Sequence, residues 1–202
     1  MLHPTKKMNF TPAEYLAMEQ AADYKSEYYG GEIFAMSGGT ADHSIIGGNF
    51  IIALGRRLEA KPCRVFTSDM RLLVKSGGLY TYPDAMVVCG KIQFVERRKD
   101  TLTNPLLIVE VLSESTRDYD RGAKFNFYKQ IPSLQEYVLV ESENARVEVY
   151  RRVGELWTMD MTEGLDGVIQ LQSVECEIPR RANLRQGDVG RIAVQSSSRV
   201  VA

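Results

Sequence analysis

The elements legible in this sequence run helix, hairpin and strands, helix, strands. That order predicts an α/β (α+β) domain, a central mixed β-sheet flanked by helices. Three observations carry the prediction. A helix start is spelled at Thr11, Pro12 and Glu14. An unbroken apolar run covers Leu106 to Leu112. After Gln135, short alternating segments are separated by turn residues.

At the N-terminal end Thr11 can cap, Pro12 suits the first helical position, and Glu14 can return a bond to the cap. Phe10 and Tyr15 are spaced for a hydrophobic staple over it, and the helix should end near Ala22. Gly30 and Gly31 separate Lys25–Tyr29 from Glu32–Met36, the pattern of a two-residue hairpin. In the second arm Glu32, Phe34 and Met36 share one face. A helical pattern from about His43 to Leu58 follows, interrupted by Gly47 and Gly48, which weaken it or permit close packing. Short strands are expected at Arg64–Thr67, Met70–Lys75 and Leu79–Cys89. Lys91–Thr103, rich in charge, reads as a solvated loop. Pro105 announces the strand Leu106–Leu112, whose apolarity implies burial on both faces. A helix over about Arg117–Gln130 stops before Pro132. The segments Gln135–Val140, Arg146–Arg152, Leu156–Met161 and Val168–Leu171 read as extra C-terminal antiparallel strands. A single domain over 1–194 is expected, with a disordered tail over 195–202.

The 202 residues, 44% hydrophobic and 25% charged, suit one core without staples. A net charge of −1 advertises neither a nucleic-acid nor a membrane partner, so any basic surface must be local. Three cysteines with no C-x-x-C pair argue against a zinc cluster and for a reducing, cytoplasmic setting, with the thiols core or inert. No apolar run approaches a bilayer-spanning length.

The chemistry concentrates between Leu79 and Ile131. Asp84 follows Pro83 at the head of one apolar strand, and Glu110 sits inside the next. A lone acid in so apolar a run is costly without a metal, a hydrogen bond or a cation beside it. Two carboxylates can hold Mg²⁺, a hard cation that keeps several waters. A divalent ion answers both obstacles to phosphodiester hydrolysis: the charge that repels nucleophiles and the poor leaving group.

Asp84 after Pro83, with Glu110 in the following strand, resembles the PD-(D/E)xK nuclease superfamily. More closely, the chain is similar to the Uma-two family of restriction-endonuclease-like proteins. The resemblance rests on EYYGGEIFAM (Glu27–Met36), His43, YTYPDAMVV (Tyr80–Val88) and IVEVLSES (Ile108–Ser115). It continues through Asp120, Lys124 and Tyr128 to QEYVLV (Gln135–Val140). It implies a restriction-endonuclease-like core, a site for Mg²⁺ with Mn²⁺ as substitute, DNA as substrate, and a homodimer. One position departs: the superfamily's lysine belongs two residues after the strand acid, where this chain has Leu112. The family resemblance nominates Lys124 on the next helix instead, with the Val111 backbone carbonyl completing the metal shell.

Each residue has a plainer role to set beside this one. Asp120 lies four positions before Lys124 and could form an ordinary helix-face ion pair. Asp120 and Tyr128 read as support for the lysine. Glu27 and Glu32 flank the glycine turn, and either could bring a further acid. His43, near a helix start, could cap or approach the substrate. A non-catalytic nucleic-acid- or protein-binding module on the same fold is the alternative, favoured by Leu112 and the near-neutral charge.

Overall fold

The structure, a computed structural model, describes residues 9–184 apart from 37, 142 and 143. The expected tail over 195–202 lies outside the described residues. Helix α1 (Pro12–Ala21) begins on the predicted capping box. Thr11 Oγ1 accepts from the Glu14 amide, and the Glu14 carboxylate accepts from the Thr11 amide at 2.8 Å. Strands β1 (Ser26–Tyr29) and β2 (Glu32–Ala35) form the expected hairpin, with Gly30 and Gly31 both at positive φ. Helix α2 (Ala41–Leu58) starts on Thr40, whose hydroxyl accepts from the His43 amide. It buries Ile46, Phe50, Leu54 and Leu58, one residue per turn, and leaves Ile52 exposed.

Two sheets follow. One has the order β2-β1-β5-β4-β7, with β4 at Arg71–Val74, β5 at Leu79–Thr81 and β7 at Thr101–Leu102. The other has the order β11-β10-β9-β8-β6-β3. Its strands are β3 (Cys63–Thr67), β6 (Ala85–Cys89), β8 (Leu107–Leu112), β9 (Glu136–Glu141), β10 (Arg146–Val153) and β11 (Leu156–Glu163). The pair β12 (Val168–Leu171) and β13 (Cys176–Pro179) stands apart from both. β8 and β9 are parallel, so the segment between them must cross back over the sheet. That crossover is helical from 117 to 128: α3 (Arg117–Tyr119), a π-helical turn (Asp120–Lys124) and α4 (Phe125–Tyr128).

The six residues of β8 are all buried, as its apolarity demands. Leu107, Val109 and Val111 join α2 in one core cluster. Ile108 and Leu112 join Phe125, Tyr128 and the inner residues of the five-stranded sheet in a second. Glu110 shares the parity of Ile108 and Leu112, so it points toward the crossover helix. α1 covers the five-stranded sheet through Tyr15, which stacks on Tyr28 at 5.1 Å.

Four expectations need correction. The strand expected over Leu79–Cys89 is broken into β5 and β6, which lie in different sheets. Cys63 and Cys89 are not inert thiols: antiparallel β3 and β6 place them opposite each other, joined as a disulfide, while Cys176 is free. Sequence spacing gave no sign of this because the pairing comes from register. The 91–103 segment is not simply a solvated loop, since Thr101 and Leu102 pair with β4 and are fully buried. Gly47 and Gly48 do not serve close packing, because a Cβ at either would meet nothing within 4 Å.

Candidate active site

Asp84 sits where the chain leaves the five-stranded sheet at β5 and enters the six-stranded sheet at β6. Ala85 pairs with Val109 across antiparallel β6 and β8, so Asp84 and Glu110 are the next neighbours along that ladder. The contacts agree. The Asp84 amide donates to Glu110 Oε2 at 3.3 Å, and the Val111 amide donates to Asp84 Oδ2 at 2.8 Å.

The crossover helix supplies the amine. Lys124 Nζ lies 2.9 Å from Glu110 Oε1, 3.2 Å from Asp120 Oδ1 and 3.4 Å from Glu27 Oε1. The lysine side chain is only 7% exposed. The π-helical turn spans Asp120 to Lys124 and buries both ends. Tyr128, one turn further, donates its hydroxyl to Glu110 Oε1 at 2.8 Å. Three acids from three elements therefore enclose one ammonium, and Asp84 stands beside the central acid.

Of the two hairpin acids, the structure brings in Glu27 and leaves out Glu32. Glu27 also accepts from Thr81 Oγ1 at 2.5 Å and from the Tyr119 hydroxyl at 3.1 Å. Glu32 pairs with Tyr29, nearer the turn, and is exposed. It shares Glu27's face but lies too far along the hairpin to join the group. His43 does join: its Nε2 is 3.3 Å from Asp84 Oδ2. Gly39 leaves room for that ring, since a Cβ there would meet His43 Nδ1 at 2.7 Å. Sequence reasoning missed Tyr119 and Thr81. Tyr119 immediately precedes Asp120, but nothing in its spacing marked its reach to Glu27.

The electrostatics follow from burial. Desolvation pushes the Glu110 carboxyl up to about 8, with Asp120 and Asp84 adding to the rise and Lys124 opposing it. Burial would lower the Lys124 ammonium, but Glu110 and the other acids around it hold it well above its ordinary value. The imidazole of His43 is raised by its hydrogen bond to Asp84, against the effect of burial. Glu110 and the Val111 backbone also face it.

All of these groups but Tyr128 and Thr81 line one open cleft of about 1130 Å³ between the hairpin, the start of α2 and the loop before α3. The arrangement has the parts of a hydrolytic centre: adjacent carboxylates, a buried ammonium and access for a substrate.

The fold is that of the restriction-endonuclease-like nucleases. A crystal structure titled "a putative nuclease belonging to DUF820", from Anabaena variabilis, superposes with a TM-score of 0.67. It covers 81% of this chain and 91% of its own, at 18% identity, a likeness of fold. Residues 12–180 match the family model Uma2, described as "Putative restriction endonuclease", and the chain belongs to that family. Two uncharacterized proteins of Synechocystis sp. are 41% and 38% identical over 145 and 144 residues. Those alignments span 72% and 70% of this chain, and 82% and 74% of the relatives. Among the described residues, no helix is long and apolar enough to cross a membrane.

Proposed function

We propose that this protein is a metal-dependent endonuclease that hydrolyses phosphodiester bonds in DNA, with Mg²⁺ as its ion and Mn²⁺ as substitute. The observation that carries the reading is the meeting of Asp84, Glu110 and Lys124, from a sheet junction, a central strand and a crossover helix.

The residues fit a divalent cation by charge and by donor type. Glu27, Asp84, Glu110 and Asp120 are four carboxylates gathered around one ammonium and one imidazole. Asp120 Oδ1 is buried without a hydrogen-bond partner among the described residues, 3.2 Å from the Lys124 ammonium. So many carboxyl oxygens gathered in one place suit a hard, oxygen-seeking cation. No set of three or more His, Cys, Asp or Glu among the described residues is closed into a metal cage. A two-carboxylate arrangement is nevertheless enough for Mg²⁺, which keeps most of its waters. Asp84 and Glu110, with the Val111 carbonyl, would hold the ion.

Bound there, the ion supplies charge neutralisation and acidifies a water. The chain's own groups do the rest. Lys124, held by three acids, orients or deprotonates the attacking water and offsets the charge that develops on the phosphate. Asp120 and Glu27 position that amine. Tyr128 orients Glu110, and His43 holds Asp84. With Mg²⁺ or Mn²⁺ the purified protein is expected to nick DNA, and Asp84→Ala to lose both the nicking and the calorimetric heat of Mn²⁺ binding. Cleavage that persists in Asp84→Ala rejects the assignment.

The second reading, a binding module without catalysis, drew on Leu112 in the place of the superfamily's lysine. Leu112 is fully buried in the core and Lys124 brings an amine to Glu110 from another element, which weakens that support. Absence of divalent-metal binding at millimolar concentration would restore it. A homodimer remains part of the proposal, to be read by light scattering.

A further inference from the structure

The endonuclease reading explains the floor of the cleft and leaves one wall unexplained. Phe34 on β2 is the register partner of Glu27 on β1. Directly opposed residues of an antiparallel pair share a face, about 4.5–5.5 Å apart at Cβ. Phe34 therefore stands beside the acid that touches Lys124, yet its ring is 48% exposed. Tyr29, next along that face, meets Phe127 edge-on at 4.6 Å and lies outside the cleft lining. Tyr24, 65% exposed, lines the same cleft. A lone exposed aromatic is ordinary. Two on the wall of one cleft, one of them beside Glu27, form a surface. Gly47 and Gly48 keep another part of the wall free of side chains.

The charges of the cleft bear on what that surface takes. Glu114 brings its lining carboxylates to five among the described residues, against the ammonium groups of Lys25 and Lys124. Lys25 is engaged by Asp69 at 2.5 Å and Lys124 is buried. Duplex DNA presents one charge per ~1.7 Å of its axis and is held largely by rows of free cations, which the described lining of this cleft does not supply. Stacking on aromatic rings works without such a row, but it needs bases that are not already paired and stacked.

We propose that the cleft takes a single-stranded segment of DNA, with an unpaired base next to the scissile phosphate stacked on Phe34 and a neighbouring base on Tyr24. This rests on the reading of the site as a phosphodiesterase. The test is binding of a 2-aminopurine oligodeoxynucleotide, single-stranded and as duplex, with Ca²⁺ in place of Mg²⁺ so that the strand stays intact. Single strand is expected to bind at least about tenfold more tightly than duplex, with quenching of the stacked base and a shallow salt dependence. Phe34→Ala should weaken single-strand binding by roughly 5- to 100-fold and remove the quenching. Phe34→Tyr should retain both, whereas Phe34→Leu should behave like Phe34→Ala. Thermal unfolding of the variants should be little changed, since the ring is half exposed.

Equal or tighter binding of duplex, unaltered quenching in Phe34→Ala, or binding of neither form would overturn the proposal. So would a preference of this wall for peptides, shown by their displacing the bound oligonucleotide. Failure of the underlying reading looks different: Asp84→Ala would then keep its cleavage and its Mn²⁺ heat, whatever Phe34 does.

Discussion

Lys124 is held by charge. Its amine lies within 3.4 Å of three carboxylates, and its side chain is almost wholly removed from water. Removing one partner of such a group costs more than the group contributes, because the acids left behind are buried without compensation. Lys124→Met should therefore destabilise the protein by roughly 3–5 kcal/mol near neutral pH, measured by urea unfolding. The loss should shrink in acid as the carboxylates take up protons. Adding Glu110→Gln should recover part of it, a non-additivity expected of contacting groups. Glu110 has its own signature. Its folded-state pKa of about 8 lies above the ordinary carboxyl value, so its contribution is full in acid and is lost as pH rises through that window. Between about pH 5 and 8 the stability of Glu110→Gln should fall less steeply than that of the parent protein. Parallel curves would mean that this carboxyl is not the one titrating.

Elements aim these side chains, and here loop and turn geometry matter more than helix or strand propensity. Gly39 precedes α2 and lies against the ring of His43, leaving no room for a Cβ beside Nδ1. Gly39→Ala should turn that imidazole away from Asp84 with little loss of stability, because only a side chain has to move. The sequence has two histidines, so NMR titration can follow His43 directly. Its pKa, raised by the Asp84 hydrogen bond, should fall toward the ordinary value in Gly39→Ala. An unshifted resonance would show that the ring stays put. What could be read in advance follows the same division. Thr11 and Glu14 announced α1 because a capping box is local chemistry, and Gly30–Gly31 announced the hairpin for the same reason. The apolarity of β8 marked Glu110 as an anomaly before any partner was known. The choice between Glu27 and Glu32 needed the hairpin register, and the Cys63–Cys89 pairing needed that of β3 and β6. The π-helical turn holding Asp120 and Lys124 could not be told from an α-helix by spacing, since both bring residues four apart onto one side.

At the scale of the molecule, the crossover helix must stay pressed on the six-stranded sheet or the amine leaves the acids. Arg121, inside the same π-helical turn, provides a clamp. Its Nη2 lies 2.6 Å from Glu141 Oε1 on β9 and 2.9 Å from Glu148 Oε1 on β10. Arg146 adds a contact to Glu148 at 3.1 Å, and the Tyr150 hydroxyl donates to the same carboxylate. Burial alone would raise both acids, but the Arg121 hydrogen bonds prevail and hold each below its ordinary value. A depressed carboxyl contributes stability that is present above the unfolded-state pKa and lost as pH falls through the folded one. Acid should therefore loosen the helix from the sheet, beginning below about pH 4.5. Arg121→Met removes the clamp while leaving Lys124 and the strand acids in the chain. It should cost roughly 3 kcal/mol at pH 7 and flatten the acid limb of the stability curve. The same variant should lose activity along with hydrogen-exchange protection over 117–128, because the lysine and the clamp belong to one turn. An Arg121→Met protein with normal exchange and normal cleavage would show that core packing by Phe125 and Tyr128 is enough to hold the helix in place.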